Sequence, residues 1–358
     1  MKSNDPANPP ILQVNNLQVD FPSSRGKVRI LEGVRFSLYP GEILALVGET
    51  GCGKSVTAKS ILNLLPRVGV HRHGEVCFDG CDLMKLSNAA MRPFRGRRIA
   101  MVFQNPQSSI NPVFTLGEQI FRLIRMYLAD EIKTVQQCLN CSGRAAVRQI
   151  AKERFEEVGL TDAERLFKAY AHQISGGMAQ RYRIAIALLS SPEVLIADEA
   201  TSALDVTVQA HILKLLRSLC RRKGTAIIFI THDLGIAAQM CDRVAVMYSG
   251  RIVETAPTLS IFETPRHPYT QGLLAAVPRL GSGERLVNIP GMIPDLANPP
   301  EGCRFHPRCP QVMTCCKNKK PPQQDIDEQH QVACYLYGQH VPGLPTDPSR
   351  QSQGAIFE

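Results

Sequence analysis

A parallel α/β fold built around one phosphate-binding loop is the architecture this sequence predicts, and three features predict it. A continuous apolar run over 43–47 ends in Gly48-Glu49-Thr50-Gly51-Cys52-Gly53-Lys54-Ser55, which fits G-x-x-x-x-G-K-[ST] between a strand and a helix. Between 181 and 260, buried runs at 194–197, 226–230 and 244–248 alternate with helical stretches such as 210–220, the pattern of a parallel sheet with crossover helices. The first 80 residues instead alternate short apolar runs with turn signals, which adds an antiparallel β subdomain.

The elements follow in order. Residues 1–10 carry no apolar core, so no secretory signal is expected there. Strands are expected at 11–14, 17–21, 34–38 and 76–78, the last before Asp79-Gly80. A helix follows the phosphate loop and stops before Pro66. From about 110 to 172 the pattern is helical: Val147, Ile150, Ala151, Phe155 and Val158 share one face, and Gly159 is placed to cap it. Residues 281–310 are rich in Gly and Pro, a cysteine cluster follows, and 341–358 reads as a disordered tail.

Composition narrows the class. Of 358 residues, 44% are hydrophobic and 20% charged, an ordinary globular balance that excludes a disordered chain. No apolar run approaches the roughly 18 residues of a membrane span. The net charge of +9 is spread along the chain rather than packed into a block, so it gives little support to nucleic acid as a partner. Of twelve cysteines, seven are scattered over 52–241 and five crowd into 303–334, a placement that suits metal better than a disulfide framework.

The loop chemistry is specific. Its glycines let backbone N–H groups converge on phosphate oxygens at a helix N-terminus, Lys54 supplies a point charge, and the Ser55 hydroxyl ligates Mg²⁺. Asp198 ends a buried strand, where it can hold Mg²⁺ through water; Glu199 follows, placed to orient an attacking water. Ser175-Gly176-Gly177 opens a further helix, a second anion-binding N-terminus that makes sense if it closes over a partner subunit's nucleotide.

With these motifs in order, residues 11 to about 260 resemble the ATP-binding cassette (ABC) ATPases. Gly48–Ser55 resembles Walker A, Val194-Leu195-Ile196-Ala197-Asp198-Glu199 Walker B, and Ser175–Gln180 the signature. Gln104 resembles the Q-loop glutamine, Ser202-Ala203-Leu204-Asp205 the D-loop, His232 the switch histidine, and Phe21 the adenine-stacking aromatic. The resemblance implies ATP held by Phe21, Gly48–Ser55, Thr57 and Gln104, with Mg²⁺ at Ser55, Gln104 and Asp198. It implies catalysis by Glu199, His232, Gln104 and Lys54, a signature of Ser175, Gly176, Gly177 and Gln180 facing the partner's ATP, and Asp205 at the dimer interface. Ala200 departs from the usual Pro, Ile174 from Leu or Phe, and Cys52 from a small hydroxyl residue, which suggests a route to thiol inhibition.

Arg266–Leu274, Pro290–Pro294, Pro299–Cys303 and Pro307–Pro310 resemble the dipeptide, oligopeptide and nickel branch of ABC importers. Residues 1–265 are then a cassette domain with a helical subdomain at about 105–180, and 266–340 a peptide-importer-type extension. Cys303, Cys309, Cys316 and Cys334 are separated by five, six and seventeen intervening residues, a spacing that suits a [4Fe–4S] cluster or Zn²⁺; Cys315 is an alternative to Cys316. The branch favours iron–sulfur and Cys316. It also implies two transmembrane permease subunits, a second ABC ATPase subunit in a heterodimer, an extracytoplasmic solute-binding protein, and a peripheral place on the cytoplasmic face of the membrane. The implied function is ATP-driven import of short peptides. Nickel or another small solute is the alternative, and a non-transport ATPase acting on nucleic acid or the ribosome stands further off, since no long heptad arm and no second cassette is present.

Overall fold

The structure, a computed structural model, describes residues 9–337 apart from 25, 67, 104–108, 202–204 and 278–287. Gln104, Ser202–Leu204 and the 341–358 tail therefore lie outside the described residues. The strands are β1 (Leu12–Ser23), β2 (Gly26–Leu38), β3 (Ile43–Val47), β4 (His71–Phe78), β5 (Cys81–Asp82), β6 (Ile99–Val102), β7 (Val194–Asp198), β8 (Ala226–Thr231), β9 (Arg243–Tyr248), β10 (Arg251–Pro257), β11 (Gln324–Asp325) and β12 (Gln331–Val332). The helices are α1 (Lys54–Ile61), α2 (Leu116–Tyr127), α3 (Ala129–Leu139), α4 (Gly143–Glu157), α5 (Ala163–Lys168), α6 (Gly176–Leu188), α7 (Val206–Lys223), α8 (Leu234–Met240), α9 (Thr258–Glu263), α10 (Pro268–Ala275) and α11 (Thr314–Asn318). They fall into two compact units, one taking residues up to 39, 44–85 and 231 onward, the other 40–43 and 86–230.

The first unit holds the antiparallel sheet β2-β1-β4-β5 and the strand order β11-β12-β10-β9-β3. In β1, Leu12, Val14, Leu17 and Val19 are fully buried. A register shift between Val14 and Leu17, with Asn16 in the left-handed conformation, moves the apolar face from even to odd positions. β3 runs parallel to β9, Leu44 opposite Arg243 and Val47 opposite Val246, and its unbroken burial explains why the sequence there has no polar alternation.

Buried charge does much of the joining in this unit. Glu32 of β2 is 7% exposed and meets Arg251 Nε and Arg304 Nη2, each at 3.1 Å, and Lys320. Burial alone would raise its pKa, but Lys320, Arg304 and Arg251 outweigh that and hold the carboxyl below its ordinary value. Removing one member of such a buried set costs about 3–5 kcal/mol, because the others are left uncompensated. Glu254 of β10, fully buried, accepts the N–H groups of Arg266 (2.7 Å) and His267 (2.9 Å) and lies 2.7 Å from His330 Nε2. His267 Nδ1 in turn accepts the N–H of Tyr269 and so starts α10.

The second unit stacks β8, β7 and β6 in parallel, Val194 opposite both Ala226 and Ile99. Beside them lie α2 to α6, whose aromatic centre joins Phe121, Phe155, Phe167 and Tyr182 with ring centroids 5.0 to 5.7 Å apart. The Tyr182 hydroxyl donates to Leu116 O at 2.8 Å, which satisfies its only polar atom in the core. Val147, Ile150, Ala151 and Phe155 are buried along α4, as the 3.6-residue period predicts. Gly159 ends the helix at φ 73°: its N–H donates to Glu156 O and that of Leu160 to Phe155 O, a Schellman closure. α3 has no buried residue and meets α4 through the Arg154–Glu131 ion pair at 2.8 Å. Among the described residues no helix is long and apolar enough to cross a membrane.

Burial pushes the pKa of His267 down to about 4 from an ordinary 6.5, against the opposing charge of Glu254. The unfolded chain then takes up a proton at His267 that the folded chain refuses until about pH 4, so stability is full above pH 6.5 and falls as the pH drops towards 4. Thermal unfolding followed over that window should show the loss, and His267→Gln should flatten it. An equal slope in the variant would assign the acid sensitivity to another group.

Candidate functional site: a phosphate loop and an acidic strand end

The phosphate loop lies in the first unit, between β3 and α1. Gly48 leaves the strand at φ 152°, and a Cβ there would stand 2.1 Å from Met247 O of β9, so only glycine fits. Lys54 is 5% exposed and its ammonium donates to Gly48 O (2.7 Å) and Glu49 O (2.9 Å), which places the cation inside the loop's own curve. Ser55 is half-buried at the start of α1, and Thr57 is buried, its hydroxyl donating to Gly53 O at 3.1 Å. Thr50 and Gly51 are exposed. Phe21 is half-buried near the end of β1, opposite Val28, and His232 is exposed just after β8.

Glu49 is held more firmly than its motif position requires. Its N–H donates to the Tyr269 hydroxyl at 3.0 Å, and its carboxylate takes a two-pronged contact from Arg308 at 2.8 and 3.1 Å. Sequence reading missed both partners, which sit about two hundred residues or more along the chain. Cys52 is 1% exposed, and burial pushes its thiol pKa up although Lys54 nearby opposes that. Thiol reagents attack the thiolate, so the structure corrects the suggestion that Cys52 is a ready route to inhibition.

The second unit carries the acidic residues and the exposed helix start. Asp198 ends the fully buried β7 and is 3% exposed. Glu199 follows in the left-handed conformation, φ 47°, its N–H donating to Ile230 O at 3.0 Å, and so turns sharply off the strand end. Ser175 and Gly176 are exposed at the start of α6, where Ser175 Oγ accepts the Met178 N–H at 3.3 Å. Gln180 does not join them at that surface. It is 2% exposed, and its amide donates to Ala200 O while accepting Arg183 Nη1 at 2.9 Å. Arg183, whose pKa burial lowers to about 10, also donates to Phe103 O. Asp205 is exposed and caps α7 by accepting the Val208 N–H at 2.9 Å.

In the first unit Cys303, Cys309, Cys316 and Cys334 line one small cavity together with His267, Phe305 and Tyr335; Cys315 does not line it. Burial raises the pKa of all four thiols, that of Cys309 to about 11. Among the described residues no three His, Cys, Asp or Glu side chains are grouped to hold a metal ion. The expected metal centre, zinc included, is thus not preformed as a ligand group: Cys316 and Cys334 are buried and Cys303 and Cys309 half-buried around one space.

The family described as "ABC transporter" matches residues 31–202, and "Oligopeptide/dipeptide transporter, C-terminal region" matches 253–316. The chain is 46% identical over 328 residues to the probable peptide ABC transporter ATP-binding protein y4tR of Sinorhizobium fredii, covering 91% of this chain and 94% of that one. It is 44% identical over 333 residues to the dipeptide transport ATP-binding protein DppD of Bacillus subtilis, covering 92% and 96%. The oligopeptide transport ATP-binding protein OppD of the same organism is 43% identical over 335 residues, covering 93% and 90%. Among solved structures, the dimeric post-hydrolysis ATP-binding cassette MJ0796 bound to ADP and Pi superposes with a TM-score of 0.59 at 26% identity, covering 69% of this chain and 98% of that one.

The burial of Cys52 sets one outcome. Brief alkylation of the native protein near neutral pH, read by peptide mass spectrometry, should label the exposed Cys138 several-fold faster than Cys52, roughly tenfold or more. Equal labelling would return Cys52 to the list of reactive thiols.

Proposed function

The chain belongs to the ATP-binding proteins of peptide ABC transporters, and from that we propose that it hydrolyses ATP to drive import of short peptides through partner permease subunits. The observation that carries the cargo class is the joint presence of the cassette family over 31–202 and the oligopeptide/dipeptide C-terminal region over 253–316 in one chain.

The roles follow from the residues. Gly48–Ser55 offers main-chain N–H groups and the Lys54 ammonium to the β- and γ-phosphates, with Thr57 fixing the helix start behind them. The oxygens of Ser55, Asp198 and Gln104 suit Mg²⁺, a hard cation, which when bound offsets phosphate charge. Glu199 orients and deprotonates the attacking water, and His232 and Gln104 meet the γ-phosphate side. Phe21 stacks on adenine. Exposed Ser175 and Gly176, with half-buried Gly177, close on the nucleotide of a second ATPase subunit, with Asp205 at that interface. Gln180 serves from inside, through Ala200 and Arg183.

The partners in this reading are two permease subunits, a second and different ATPase subunit, and an extracytoplasmic binding protein. The subunit sits peripherally on the cytoplasmic face, its cassette over 1–265 and its extension over 266–340. The cavity shared by Cys303, Cys309, Cys316 and Cys334 suits a [4Fe–4S] cluster: an all-thiol donor set in a segment with few apolar residues gains order from a bound centre. Anaerobic purification should then yield iron and sulfide with a visible chromophore, which Cys334→Ser diminishes. An iron-free chain with native stability would remove the cluster from this reading.

The function is tested by rebuilding the transporter in liposomes and measuring ATP hydrolysis with short peptides or with nickel. Peptides should stimulate turnover. Glu199→Gln should cut turnover roughly 100-fold or more while ATP still binds. Undiminished turnover would displace Glu199, and stimulation by nickel alone would reassign the cargo.

A further inference from the structure

Arg308 lies outside every nucleotide motif, yet its side chain is 4% exposed and directed at the phosphate loop. Its Nη1 and Nη2 donate to the two carboxylate oxygens of Glu49 at 2.8 and 3.1 Å. The rest of the guanidinium is already fixed: Nε donates to Pro290 O at 3.0 Å, Nη2 to Ile289 O at 3.3 Å, and Nη1 lies 3.5 Å from the Tyr248 hydroxyl. The planar fork is therefore oriented by the 289–290 backbone before it meets Glu49. A second anchor comes from the fully buried Tyr269, whose hydroxyl accepts the Glu49 N–H at 3.0 Å. The Tyr269 ring is in turn wedged between Tyr248 and Phe305, with centroids 4.5 and 5.4 Å away.

Glu49 is thus gripped by side chain and main chain from two separate stretches of the C-terminal region. On the loop's inner side, Lys54 holds the carbonyls of Gly48 and Glu49. We infer that Arg308 and Tyr269 are positioning residues for ATP binding, and that the C-terminal region braces the phosphate loop in its ligand-ready form. This rests on the reading of Gly48–Ser55 as the phosphate site. A glycine-rich loop without external anchors samples many conformers, and apparent affinity falls by the fraction that is competent. Once ATP has bound, the phosphates hold the loop themselves. Loss of the brace therefore raises KM for ATP and leaves kcat nearly unchanged.

The test uses the assembled transporter and compares Glu49→Gln, Tyr269→Phe, Arg308→Lys and the Glu49→Gln/Arg308→Lys pair, each checked for native thermal stability. Each single variant should raise KM for ATP about 5- to 20-fold with kcat within about twofold. The double variant should be no worse than the poorer single one, since both remove one contact. Unchanged KM in Glu49→Gln and Tyr269→Phe, or a fall in kcat alone, would overturn the inference. These two substitutions keep size and shape, so they decide even if Arg308→Lys does not fold. Lys54→Ala serves as the control: full ATPase activity there would sink the phosphate-loop reading itself, whereas its loss confines any failure to the brace.

Discussion

A loop that binds phosphate through its own main chain keeps few main-chain groups to stiffen it, here Cys52 N–H to Glu49 O at 3.3 Å and Gly250 N–H to Cys52 O at 2.8 Å, and the first unit is arranged around that constraint. Gly48 admits no side chain because Met247 O stands where a Cβ would lie. The apolar floor of β3 and β9 fixes only the point where the loop begins. Further rigidity comes from outside the loop through Tyr269 and Arg308, and from within it through the inward-turned Lys54. Buried, two-pronged Arg–carboxylate contact suits this task because it fixes orientation as well as distance.

The C-terminal segment that delivers these contacts is poor in apolar side chains, and polar links replace a large core. Glu32 and Glu254, both buried, each gather partners from distant stretches: Arg251, Arg304 and Lys320 at the first, Arg266, His267 and His330 at the second. Such pairs add little net stability over apolar packing but penalise any alternative arrangement, because each leaves a charge or a donor stranded.

What could be read from sequence was what is local. The phosphate loop is eight adjacent residues with a fixed chemistry, and the buried face of α4 repeats every turn, so each was legible without tertiary knowledge. The strand that ends at Asp198 was legible as a short continuous apolar run, and the phosphate loop is what singled out its acid. The Arg308–Glu49 and Lys320–Glu32 pairs, 259 and 288 residues apart, left no local signature. Gln180 was misleading for a related reason: its neighbours Ser175 and Gly176 lie at the surface, but one turn further along α6 the side chain faces inward. The cysteine spacing led to a shared cavity, yet spacing carries no information on whether neutral thiols will gather.

Gln180 and Arg183 together give α6 a mechanical character. One side chain grips Ala200, directly after Glu199; the other grips Phe103, directly before the stretch that contains Gln104. The helix whose exposed tip is Ser175 thereby holds Ala200 and Phe103 at once, through two side chains of a single turn. Phe103 and Ala200 are thereby tied to one helix, so the two positions share a single joint rather than two separate ones.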